Sequence, residues 1–320
     1  MSDSNSIETG DESASAAPQF GVYVPQIKID ARTMVSRAQA AEKAGFHSFW
    51  VMDHLYAPGA PPTDTLESWT LLSALAGATS TIRLGHLVGC NPFRHPALLA
   101  KMAATLDQLS AGRLDLGLGW GSVEDEFVQF GFPVGTRRER SQALGETLDV
   151  LELMFTGEPF DYDGTHFRLE GAYGLPVPVQ KRIPIHIGGG GKQLTMPLVE
   201  RHADWWNCVG SARSRLSELA PLRGNARISA QYAVGVVDVE SRRDDVTARI
   251  GRRMPESAWG RALIGTPDEL VEMFRAERDL GVELFIVRFH DLGTEATLEL
   301  FGKEVAAPLK VSNQSRGVCA

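Results

Sequence analysis

The sequence predicts an α/β chain that closes into a TIM-type (β/α)8 barrel with one insertion segment. Apolar runs of strand length alternate with helical patterns eight times along the chain. The 320 residues exceed the roughly 250 that one such barrel needs. Glycine, aromatic and polar residues gather after the strands rather than before them. A doubly wound open sheet has the same local alternation, and it is the count of eight that favours closure.

The elements follow in order. Phe20–Pro25 is a short buried strand, and Asp30 caps a helix to Ala44 that Gly45 ends. Ser48–Met52 is the second strand, and Asp64 with Glu67 forms a capping box for a helix through Ala78. Ile82–Val88 is the third strand, and Pro96 opens a helix that closes near Gly112. Leu114–Leu118 is the fourth, before a Thr136/Glu139 capping box and a helix through Phe155.

The alternation then pauses at an insertion, about 157–182, where an Asp-Gly pair between aromatic residues marks a hairpin. It resumes with strand five, Ile183–Ile187, a glycine run, and a helix through Arg201 that Pro197 should shorten. Strand six is Ala203–Asn207 and strand seven Ser229–Val237. Thr266, Pro267 and Glu269 start a helix that Gly281 ends; Glu283–Phe289 is strand eight, and Glu295–Val305 the last helix. The expected organisation is an acidic disordered tail over 1–18, the barrel over 19–308, and a flexible tail over 309–320.

Composition bounds the partners. A net charge of −8 speaks against nucleic acid or anionic membrane as a main partner. Three cysteines in no metal-binding spacing speak against a disulfide framework or a metal site, and fit a reducing cytoplasm. No apolar run reaches membrane-helix length, and the first residues lack the basic start and apolar stretch of a signal peptide.

Chemistry in such barrels sits at the C-terminal strand ends. Asp53 and His54 follow strand two, and Cys90 to Pro96 follow strand three. Gly119, Trp120, Gly121 and Ser122 follow strand four; Gly188, Gly189, Gly190, Gly191 and Lys192 follow strand five. Four glycines between a strand and a helix let backbone N–H groups approach an anion, and Lys192 adds charge: a phosphate cradle, or else a flexible loop. His54 suits proton transfer or a hydrogen bond to a ring, or is a satisfied core histidine. His95 reads as a helix-start residue, and Glu124 and Glu126 as solvated residues of a first helical turn. Cys90 either touches a cofactor or only packs.

Taken together, these segments resemble the luciferase-like monooxygenase superfamily. The resemblance rests on Phe20-Gly-Val, Ala41-Glu-Lys-Ala-Gly-Phe46 and Phe49-Trp-Val-Met-Asp-His54. It continues through Thr81-Ile-Arg-Leu-Gly85, Phe93-Arg-His-Pro96, Asp107-Gln-Leu-Ser-Ala-Gly-Arg113, Leu116-Gly-Leu-Gly119, Pro184-Ile-His-Ile-Gly-Gly-Gly-Gly191, Arg201-His-Ala-Asp-Trp-Trp-Asn207 and Gly265-Thr-Pro267. It implies reduced FMN or the deazaflavin coenzyme F-420 as cofactor, and it is closest in flavour to the deazaflavin branch. It further implies a ring-facing His54, a bulge with a non-proline cis bond near Leu87–Val88 behind the ring, and a cofactor phosphate between Gly119–Ser122 and Gly188–Gly191.

The activity so implied is hydride transfer to or from a small or medium organic substrate, by a homodimer. The alternatives are an FMN-dependent monooxygenase fed by a separate flavin reductase and, more remotely, a flavin-binding protein without catalysis. The branch that oxidises sugar phosphates carries a tryptophan four residues after the histidine and an acid after the fourth-strand glycines. Pro58 and Ser122 stand there instead, which speaks against that substrate.

Overall fold

The computed structural model describes residues 17–311; most of both expected tails lies outside them. Eight parallel strands form the frame: β1 (Gln19–Tyr23), β2 (Ser48–Val51), β3 (Arg83–His86), β4 (Leu114–Gly119), β5 (Ile185–Gly188), β6 (Trp205–Cys208), β7 (Arg227–Val236) and β8 (Leu284–Phe289). Each pairs with the next, and β8 pairs back onto β1 with Phe20 opposite Phe285 and Val22 opposite Val287. The sheet therefore closes, as the eightfold alternation predicts.

Alternation along the strands sorts side chains into two cores. The interior holds Tyr23, Trp50, Met52, Leu87, Trp205, Leu284 and Ile286. The larger core lies between strands and helices, where Phe20 packs on Phe274, Phe285 and Phe301. Trp50 fills the barrel axis, and two of its neighbours, Gly21 and Gly85, leave no room for a side chain. A Cβ on Gly85 would lie 2.5 Å from Trp50 Cζ3, and one on Gly21 2.7 Å from Trp50 Nε1.

Caps behave largely as the sequence predicts. Asp30 accepts from Thr33 N–H, and the Thr136/Glu139 and Thr266/Glu269 boxes are complete. The Asp64/Glu67 box is not: Glu67 is itself the cap of the helix Ser68–Ala78, its carboxylate accepting from Trp69 and Thr70 N–H. Pro197 sits in the first turn of the helix Met196–His202, where no N–H is needed. The insertion hairpin pairs Phe160–Asp163 with Arg168–Ala172. Its turn is held from outside, because the Glu146 carboxylate accepts from Thr165, His166 and Phe167 N–H.

Three departures shape the mouth. The third strand is shorter than Ile82–Val88: it stops at His86, the Leu87–Val88 bond is cis, and Gly89–Cys90 rejoins β4. A helix, Glu124–Phe130, follows β4. The stretch after β7 builds helices Arg243–Arg253 and Glu256–Trp259 and a short strand, Leu263–Gly265, beside β7. At the other end of the chain, helix continues through Val311 and Leu309 is buried, so order extends past the expected boundary at 308.

Candidate active site

A cavity of about 460 Å³ opens at the C-terminal ends of the strands. It brings together His54, Leu87, Val88, Cys90, Gly119, Trp120, Gly121, Ser122, Gly188, Gly189, Gly190 and Gly191. Lys192 is not among its lining residues; its ammonium turns away to pair with Glu218. The structure adds Thr195, Val209, Ser211, Gln231 and Trp259 to the wall.

One side of the mouth is charged and tightly tied. Asp53, buried at the end of β2, takes two hydrogen bonds from Arg94, at 2.6 and 3.0 Å. It also accepts from Ser68 Oγ at 2.7 Å and from the Cys90 backbone N–H at 2.8 Å. Burial alone would raise its pKa, but His86, Arg94 and these hydrogen bonds hold it below the usual carboxylate range. Through Cys90 N–H, Asp53 anchors the bulge that carries the cis bond. The Cys90 thiol is pushed up chiefly by burial, so it is a neutral packing group at the cavity edge.

His54 is paired with a residue that the sequence reading took as solvated. Its Nδ1 lies 2.8 Å from Glu126 Oε2, and the other Glu126 oxygen accepts from the Leu55 backbone N–H. Glu126 is buried, inserted from the first turn of Glu124–Phe130 beneath His54. With Nδ1 bound to a carboxylate, the other ring nitrogen, Nε2, remains for exchange with a ligand. No sequence spacing betrays this pair, which is 72 residues apart. The signal that could have found it is an acid on the face of that helix that also carries the buried Phe127.

The other side is uncharged and built from glycine. Gly119 and Gly188 flank the bulge: a Cβ on Gly119 would meet Val88 Cγ2 at 2.8 Å, and one on Gly188 would meet both Val88 methyls at 3.1 Å. Gly121 has φ +83° and packs against Phe127. Trp206 Nε1 donates to Gly189 O at 2.7 Å and pins the run from behind, while Trp120 Nε1 donates to Thr195 Oγ1 at 3.3 Å. Lys and Arg are absent from the lining residues, so an anion here would meet backbone N–H groups and the Ser122, Thr195 and Ser211 hydroxyls. A flat apolar ledge at Leu87–Val88, an imidazole at the rim and a glycine-walled recess fit a planar ring bearing a phosphate tail, in a volume usual for such ligands.

Barrel, ledge and recess together define a class of (β/α)8 protein with a glycine-walled cavity at the C-terminal strand ends. The chain belongs to the luciferase-like monooxygenase family, whose profile matches residues 9–236. An uncharacterized protein of Mycobacterium tuberculosis is 35% identical over 190 residues, 54% of this chain and 66% of that protein. An F-420-dependent hydroxymycolic acid dehydrogenase of the same species is 32% identical over 69% of this chain and 58% of its own. The chain thus spans just under two thirds of the first relative and less of the second.

An FMNH(2)-dependent dimethylsulfone monooxygenase of Pseudomonas putida is 25% identical over 93% of this chain and 97% of its own. A solved F-420-dependent secondary alcohol dehydrogenase, in complex with an F-420–acetone adduct, superposes with a TM-score of 0.78 over 92% of this chain and 99% of its own, at 18% identity. That likeness establishes the barrel. Relatives in this family carry names of both kinds, F-420-dependent dehydrogenase and FMNH(2)-dependent monooxygenase. Among the described residues, no helix is long and apolar enough to cross a membrane, and no group of His, Cys, Asp and Glu is arranged for a metal.

Proposed function

We propose that this chain is a deazaflavin (coenzyme F-420)-dependent oxidoreductase acting on a small or medium organic substrate. The observation that carries the reading is the His54–Glu126 pair beside the Leu87–Val88 ledge. When bound, the deazaflavin supplies a hydride donor or acceptor. Leu87 and Val88 support its ring, the recess of Gly119–Ser122 and Gly188–Gly191 receives its phosphate, and Cys90 closes the edge. His54, its Nδ1 bound to Glu126, gives or takes the substrate proton at Nε2. Three relationships support the proposal: the ledge and recess have the right shape, the mouth has a proton-transfer group, and a relative named for F-420 matches over 69% of the chain.

A second reading is favoured by the near full-length match to an FMNH(2)-dependent monooxygenase. The same ledge and recess would hold FMN, and a separate reductase would be its partner. A titration with each cofactor, followed by the fluorescence of Trp120 and Trp259 in the cavity wall, separates the two. Binding of F-420 with weak or absent FMN binding is expected; tight FMN binding without F-420 binding overturns the proposal. Sedimentation of the same preparation tests the homodimer.

A further inference from the structure

The inner face of β8 carries Leu284, Ile286 and, one rung nearer the mouth, Arg288. Leu284 and Ile286 are in the barrel-interior core, whereas Phe285, Val287 and Phe289 belong to the outer one. The period of two therefore points Arg288 inward. It is part-exposed and sits next to the cavity wall, although it is not itself one of the lining residues. Its guanidinium carbon lies 4.9 Å from the centroid of Trp259, a wall of the cavity, and Tyr23 stacks on the same tryptophan at 5.9 Å.

This cation lacks an anion. Among the described residues no carboxylate pairs with Arg288, and its Nε is buried with no hydrogen-bond partner. Tyr23 is no counter-ion, because burial pushes its phenol up to about 12 and keeps it neutral. The nearby charge of Arg253 adds to the positive field. Among the described residues no carboxylate offsets the cost of desolvating this guanidinium, and the Trp259 face does so only in part. Arg288 also sits across the mouth from the phosphate recess: β8 adjoins β1, whereas the glycines lie on β4 and β5.

We propose that Arg288 is the substrate-anchoring residue of this site, and that the substrate is a carboxylate whose flat apolar part lies on Trp259. The planar guanidinium takes a carboxylate through paired N–H groups, and the indole face takes the rest. The proposal rests on the cavity being an oxidoreductase site, and its test is readable whichever cofactor binds.

The probes are benzoate and its neutral counterpart benzamide, titrated into the full-length protein by calorimetry, with F-420 titrated separately. The wild type should bind benzoate about tenfold or more tighter than benzamide. Arg288→Met should remove that preference, leave benzamide and F-420 binding within about twofold, and melt no lower than wild type, because an unpaired cation has been removed. Arg288→Lys should retain part of the preference.

Equal binding of benzoate and benzamide by the wild type, or no benzoate binding, overturns the proposal even if Arg288→Met fails to fold. A loss of F-420 affinity in step with benzoate also overturns it, assigning Arg288 to the cofactor phosphate. Absence of F-420 binding with the benzoate preference intact refutes the cofactor reading alone.

Discussion

Two of the histidine–carboxylate pairs in this barrel lie towards opposite ends of the strands, and they differ in their access to a cavity. At the mouth, His54 is 2.8 Å from Glu126, and its side chain is 24% exposed. Towards the other end of the strands, His186 is 3.7 Å from Asp115 and 1% exposed, its ring parallel to Trp205 at 5.4 Å and edge-on to Trp50 at 4.9 Å. Asp115 also takes a bidentate pair of hydrogen bonds from Arg83, at 3.0 and 2.8 Å. The residue types match; access to a cavity differs. A pair plugged between two tryptophans is shut off from solvent, while a pair open to a recess can exchange a proton.

The sharpest way to break this contrast is to delete each imidazole. His54→Ala should cut turnover by about 10²–10⁴-fold with melting nearly unchanged. His186→Ala should leave a cavity beside Trp50 and Trp205 and destabilise by about 3 kcal/mol, with residual activity in the folded fraction. Turnover and melting measured on one preparation decide it; a His54→Ala variant that melts far lower yet turns over normally would make His54 structural.

Glu126→Gln comes next. The amide keeps the shape but no longer favours the Nδ1–H tautomer, so turnover should fall by roughly 10²-fold or less, with cofactor affinity retained. An unchanged kcat would show that Glu126 only holds the Leu55 backbone.

Asp115 sharpens the comparison through pH. Burial raises its pKa, but His186 and Arg83 more than offset that and bring it to about 2, below the ordinary range of an aspartate. A depressed carboxylate stabilises the fold above its unfolded pKa and loses that contribution as pH falls through the folded one. The wild type should therefore lose about 2 kcal/mol between roughly pH 4 and 2 from this group. Asp115→Asn, less stable at neutral pH, should have a flatter dependence in denaturant titrations across that window. Equal slopes would remove Asp115 from the account.

Gly188→Ala has the smallest expected effect. Its methyl would press on both Val88 methyls, costing about 1 kcal/mol of stability and weakening cofactor binding by tilting the ledge. Unaltered cofactor affinity would mean that the ledge does not contact the ring.

Much of the mouth is legible in sequence because it is local. Glycines after a strand, a histidine at a strand end and a proline at a helix start each act within a few residues. Lys192 shows where this fails: a lysine after glycines has the right charge for a phosphate, yet four flexible carbons carry it to Glu218. Glu126 fails in the other direction, since an acid in a first turn is ordinarily solvated and only the fold places His54 above it.

By itself, the amino-acid order determined the eight barrel strands to within a few residues, most of the helices and caps, and the closure expected from eight repeats, but not the Glu67 cap, the helix Glu124–Phe130 or the helices Arg243–Arg253 and Glu256–Trp259 after β7. The elements it did determine follow from side-chain periodicity and backbone preferences, which the chain expresses without distant partners. Tertiary structure alone decided that Glu126 orients His54, that Asp53 ties down the bulge through Cys90, and that Arg288 lies over Trp259, a wall of the cavity, with no carboxylate partner among the described residues. Each depends on closing the sheet, which brings strand ends far apart in sequence into one low-dielectric space. There a charge is held or left waiting according to what the fold sets beside it.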